Sequence, residues 1–218
     1  MKKLIAMIAS LAIGSSVFAI ELGAVGGLSF NNMKVESSSK TTQFSNVIGG
    51  KFGAAVEIPL LDVLSVQPEV LFHLNNGGHT DNSFTIVGVT TKQKVTVTFN
   101  TIEFPVLAKA NLKIGSGKLS ALVGPTFNIL IGEETSKIES TTGNTTTNDT
   151  TNNSYDDLDW NTFVVGLEIG AEYSFKAGPG SLAIGCMVDF DLGDIAKSDD
   201  YKRTRFAITP QLTYFFGL

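Results

Sequence analysis

Apolar and polar residues alternate with period two along most of the chain, and the alternation recurs eight times. In the last run, RTRFAITPQLTYFFGL, one side carries Thr204, Phe206, Ile208, Pro210, Leu212, Tyr214, Phe216 and Leu218. The other side carries Arg203, Arg205, Thr209, Gln211 and Thr213. The pattern predicts strands near 20–30, 46–59, 64–74, 95–110, 118–131, 159–175, 181–192 and 202–218. The clearest apolar faces run through about six or seven alternate positions, longer than the usual strand of a soluble protein. They match the 9 to 11 or so residues that a tilted strand needs to cross hydrocarbon.

The connections alternate in length. Polar stretches near 31–45, 75–94, 132–158 and 193–201 are separated by the short links LDV, NLKIGSGK and KAGPG. Long and short in turn predict an all-β fold: a closed eight-stranded antiparallel transmembrane β-barrel with up-and-down meander connections. The long stretches become outer loops, and both termini fall on the periplasmic side. TTGNTTTNDTTNNS has no apolar residue to bury and is expected to be mobile.

The start of the chain sets the compartment. MKKLIAMIASLAIGSSVFA has a basic beginning, an apolar run too short for a comfortable membrane anchor, and a small-residue end. Residues 1–19 therefore read as a cleaved signal peptide, and 20–218 as the barrel domain. Losing Lys2 and Lys3 takes the formal charge from -5 to -7. That balance and the lack of a basic cluster argue against nucleic acid. The one cysteine, Cys186, permits no intrachain disulfide.

The polar face decides what the barrel holds. By parity it carries Glu21, Lys51, Glu57, Glu69, Glu103, Lys109, Glu168, Glu172, Asp189, Asp191, Arg203 and Arg205, with Gln67, His73 and Gln211. Eight strands leave an interior that side chains nearly fill. Buried charges need partners, so the expectation is an interior charge network with internal ion pairs and trapped water, and no continuous pore. Asp191 and Arg205 share parity near one loop and are expected to pair. No catalytic, cofactor-binding or metal-binding residue is assigned. His79 with Asp81 and Ser83 is a common polar-loop combination, and no metal-ligand spacing stands out.

Two features strain this picture. Pro59, Pro68, Pro105, Pro125 and Pro210 fall within expected strands, and each removes a ladder donor. Bulges or hydrated gaps are expected there. Val95, Val97 and Phe99 also stand in the opposite phase to Ile102, which predicts an irregularity near 100–101 or a strand projecting beyond the membrane.

IEFPVLAK at 102–109, LVGPTFNILIG at 122–132, VQPEVLFHL at 66–74 and the closing ITPQLTYFFGL resemble the outer membrane beta-barrel domain family that includes the PorT-like proteins. The layout is also similar to small OmpA- and OmpX-type barrels. The resemblance implies a compact outer-membrane barrel without an established activity. The expected function is structural or interactive: surface loops displayed over a rigid wall, without catalysis or cofactor. The alternatives are a narrow cation-preferring channel, a membrane-embedded lipid-modifying enzyme and a soluble lipocalin-like binder. The expected partners are outer membrane lipids, the barrel assembly machinery during biogenesis and a surface ligand at the outer loops. The barrel is expected to be a monomer in the bacterial outer membrane.

Overall fold

The computed structural model describes residues 20–37, 40–86, 88–197 and 201–216. The expected leader, 1–19, lies outside them, as does Leu218. Among the described residues nine strands form: β1 Glu21–Ser37, β2 Lys40–Leu61, β3 Leu64–Ile86, β4 Val89–Ile114, β5 Gly117–Thr142, β6 Thr145–Asn153, β7 Phe163–Ala177, β8 Gly180–Asp191 and β9 Tyr201–Phe216. All pairings are antiparallel. Eight of the strands follow one another round a ring, which β1 closes by pairing with β9. The ninth, β6, stands outside the ring and pairs only with the outer half of β5.

Parity sorts the wall into two faces. Lys51, Glu103, Lys109, Glu168, Glu172 and Asp189 point inward and are buried. Leu28, Ile48, Val70, Val123, Ile169, Ile184 and Leu212 point outward and are exposed. Exposed leucines and isoleucines on every side would be untenable in water. Facing hydrocarbon they cost nothing, and ring closure satisfies the backbone with no edge inside the membrane. Inside, Gly170 and Gly185 leave the space that the Met187 and Glu172 side chains occupy.

The stretches expected as outer loops are mostly strand. β1 and β2 stay paired out to Ser37 and Lys40, and β3 and β4 out to Ile86 and Val89. β4 and β5 run together to Thr91 and Thr142. Beyond Ile129, β5 leaves β7 behind, and from Glu134 it takes β6 as its second neighbour. TTTNDTTNN, expected to be mobile, is thus an exposed strand of a four-stranded outer sheet. Threonine explains the difference. It is β-branched and suits an extended backbone, and β5 already offers a ladder to pair with. Hydroxyl contacts link Thr85 to Thr90 at 3.0 Å, Thr91 to Thr142 at 2.8 Å and Thr141 to Thr146 at 3.0 Å. Within 193–197 the chain forms no strand and makes short contacts, such as the bridge between Trp160 and Ala196.

Of the five prolines expected to distort the wall, only Pro59 adjoins a register shift, between Pro59 and Leu61. Pairing across Pro68, Pro105, Pro125 and Pro210 keeps its register, with unpaired steps rather than inserted residues. A missing donor opens a gap in the ladder without needing an extra residue to fill it. The other shifts fall at the outer mouth: between Asn31 and Met33, between His73 and Asn76, and between Thr98 and Asn100. There the strands leave the ring for the outer sheet, and bulges re-aim them.

Candidate functional site

The bore is crossed by two groups of buried charge. Lys51 on β2 places its Nζ 2.9 Å from Glu103 on β4, 3.0 Å from Asp189 on β8 and 3.6 Å from Glu168 on β7. Arg205 on β9 reaches Glu103 at 2.8 Å and Asp191 at 3.3 Å. His73 Nδ1 lies 2.8 Å from the same Glu103 oxygen. Six strands of the ring, β2, β3, β4, β7, β8 and β9, are therefore tied together through Lys51, Arg205 and Glu103. Nearer the short turns, Lys109 lies 2.6 Å from both Glu57 and Glu172 and donates to Gln67 at 3.0 Å. Gln67 in turn donates to Glu69 at 2.6 Å, which links that acid to the Lys109 group. Phe215 lies beneath the Lys109 ammonium, 5.0 Å from its ring centroid. Small apolar clusters, one of Val25, Ala55, Leu71, Ala183 and Phe215, the other of Leu107, Leu122 and Met187, fill much of the rest of the bore.

Ten of the twelve residues expected in the charge network take part in these contacts. Glu21 does not; it sits half-buried at the rim by the short turns. Arg203 belongs elsewhere. Its guanidinium lies over the Trp160 ring at 4.2 Å and 3.5 Å from Glu134, above the bore. The cross-hairpin pair of Asp191 and Arg205 forms through both the side chain and the Arg205 backbone N–H, which donates to Asp191 at 3.0 Å.

Above these charges lies an apolar plug that parity alone did not reveal. Met33, Val97, Phe99, Leu130, Tyr155, Trp160, Val164 and Ile195 are buried together, with Phe44, Val95 and Leu158 against them. Trp160 stacks on Tyr155, with centroids 5.8 Å apart, and meets Phe99 edge-on at 5.5 Å. Tyr155 donates to the Ile131 carbonyl at 3.0 Å. Burial pushes its phenol up to about 12. Burial likewise raises the Glu134 carboxyl from its ordinary value, and Arg203 opposes that only in part. The signal for the plug was present in the sequence. Val95, Val97 and Phe99 share parity with Thr101 and Glu103, so they continue the inward face with different chemistry. Trp160 is 1% exposed and points into the plug.

The bore is thus filled by cross-braced charges and covered by a plug, and the outer sheet stands above both. Its outward face is polar: Asp81, Lys94, Glu139 and Asn148 lie in register across β3, β4, β5 and β6. The far edge of β6 has no neighbour among the described residues.

Comparison with solved structures gives small outer-membrane barrels. OprG from Pseudomonas aeruginosa is 9% identical with a TM-score of 0.47, covering 92% of this chain and 98% of that one. The Neisserial surface protein NspA is 10% identical with a TM-score of 0.39, at 89% and 96% coverage. Ail of Yersinia pestis is 14% identical with a TM-score of 0.32, at 90% and 98% coverage. No curated protein sequence matches the chain. The family described as outer membrane protein beta-barrel domain matches residues 18–197, with nothing that singles out its PorT-like relatives. With its closed ring and lipid-compatible outer face, the chain belongs to that outer membrane β-barrel family.

Proposed function

We propose that this protein is a structural, non-catalytic component of the bacterial outer membrane that presents its outer sheet to the cell's surroundings. The observation that carries the reading is the continuation of β3, β4 and β5 beyond the ring, with β6 added to them. A barrel needs no such extension to span a membrane. A four-stranded sheet with a polar face and an open edge is a surface for recognition. In this reading residues 1–19 are removed on export, and the assembly machinery inserts the chain as a monomer. The short turns and termini then face the periplasm. The cross-braced bore argues against the narrow cation channel, and planar bilayers holding the purified barrel should show no conductance above background.

Orientation and display are tested together by epitope insertion. A tag placed in the 143–144 turn should bind antibody on intact cells. The same tag in the 115–116 turn should bind only after the outer membrane is permeabilised. The reverse pattern, or equal labelling of both, would overturn the reading.

A further inference from the structure

The rim at the short-turn end carries a charge arrangement that the wall does not require. Lys113, near the end of β4, stands directly opposite Lys118 at the start of β5. Like charges facing each other across paired strands repel. On its other side Lys118 is opposite Ser174 of β7. Lys176 lies two residues beyond Ser174 and so shares its face of the strand. These side chains line one cavity of about 320 Å³ inside the mouth of the barrel.

Among the described residues, the nearby acids do not balance the three lysines. Glu21 lines the same cavity. Glu57 lies 3.9 Å from Lys118, but it is already held by Lys109 at 2.6 Å and by the Ser65 hydroxyl at 3.0 Å. Among the described residues, Lys113 and Lys176 enter no ion pair. Ser174 adds an independent sign. It is 4% exposed, and its Oγ has no hydrogen-bond partner. A buried hydroxyl without a partner is costly, and this one belongs to a cavity bordered by ammonium groups.

We propose that this rim binds a soluble polyvalent anion of phosphate or paired-carboxylate chemistry between Lys113, Lys118 and Lys176, with Ser174 Oγ donating to it. An anion there turns the repulsion of Lys113 and Lys118 into two charge-assisted contacts. By strand parity the lysines point into the mouth of the barrel, away from the lipid-facing wall, so the ligand comes from solution and not from a bilayer headgroup. The site is independent of the outer sheet, and its test stands whichever way the barrel is oriented.

The test uses the full refolded barrel in a nonionic detergent, titrated with inorganic pyrophosphate by calorimetry. One saturable site per barrel is expected. Lys113→Gln and Lys118→Gln should each weaken binding about tenfold, the loss of one charged contact, and Ser174→Ala should weaken it less. Lys137→Gln, on the outer sheet, should leave it unchanged. Independently of any variant, pyrophosphate should raise the unfolding temperature more than sodium chloride of equal ionic strength. Equal effects of the two salts, or undiminished binding in the Lys113 and Lys118 variants, would overturn the site. Repeating the titration in nanodiscs separates the sources. Unchanged pyrophosphate affinity in anionic lipid supports a soluble ligand; loss of binding there assigns the lysines to lipid headgroups and refutes it.

Discussion

Within the membrane this barrel is polar inside and apolar outside; just above the mouth the same strands are apolar inside and polar outside. β4 runs through both regions without changing phase. Its inward residues pass from Lys109, Leu107, Pro105, Glu103 and Thr101 to the buried Phe99 and Val97. Its outward residues pass from Val106, Phe104 and Ile102 to Asn100, Thr98 and Thr96. The solvent changes and the strand geometry does not. In lipid, outward apolar side chains are at home and inward charges must find one another. In water, apolar side chains gather inward and drive burial. The outer sheet and its plug are built like a small soluble domain, on the strands of a membrane wall.

This contrast predicts that similar lesions act differently in the two regions. The largest effect is expected from Lys51→Met. It leaves Glu103, Glu168 and Asp189 without their shared cation and should cost about 3–5 kcal/mol. Urea unfolding in vesicles, read by the heat-dependent gel shift, should show the loss in the whole barrel. Trp160→Ala should cost a similar or slightly smaller amount, about 3 kcal/mol, but only in the plug. Hydrogen exchange should accelerate at Val95, Val97 and Leu130 while the amides of β8 stay protected. Ile169→Arg, midway along β7 on the lipid face, should destabilise insertion by about 2–4 kcal/mol. Thr96→Arg, outward on the sheet above, should change stability by less than about 1 kcal/mol, even with Lys137 opposite it. Similar costs for the two arginines would erase the distinction between the regions. A comparably small effect is expected from Thr141→Ala, which removes one cross-strand hydroxyl contact. It should loosen the β5–β6 hairpin by about 0.2–1 kcal/mol, visible as faster exchange confined to β6.

Much of the wall was legible from alternation alone. Parity gave the inward set from Lys51 to Arg205 because a closed barrel permits two faces and charges tolerate only one. It failed where the solvent changed. Val95, Val97 and Phe99 looked out of phase only because apolar was equated with outward. The polar hairpins were read as loops because threonine and asparagine bury nothing. Yet their strands extend ladders already formed by β3, β4 and β5, and need little burial of their own. Of the bulges or gaps expected at the prolines, only Pro59 adjoins a register shift and the others leave unpaired steps, because a missing donor needs no added residue. Pairings across the bore, such as Lys51 with Asp189 at a sequence distance of 138, depend on ring closure and tilt, which local periodicity does not encode.

The lipid-facing wall can be tested at a single native atom. Cys186 is the only cysteine in the chain, and it lies outward on β8, exposed on the protein's own surface. In vesicles containing the folded barrel, a membrane-impermeant maleimide should leave Cys186 unlabelled until the protein is denatured. In a Thr96→Cys, Cys186→Ser variant the same reagent should react at once. Rapid labelling of Cys186 in the folded protein would mean that its apolar face meets water, and the membrane-spanning barrel would be contradicted.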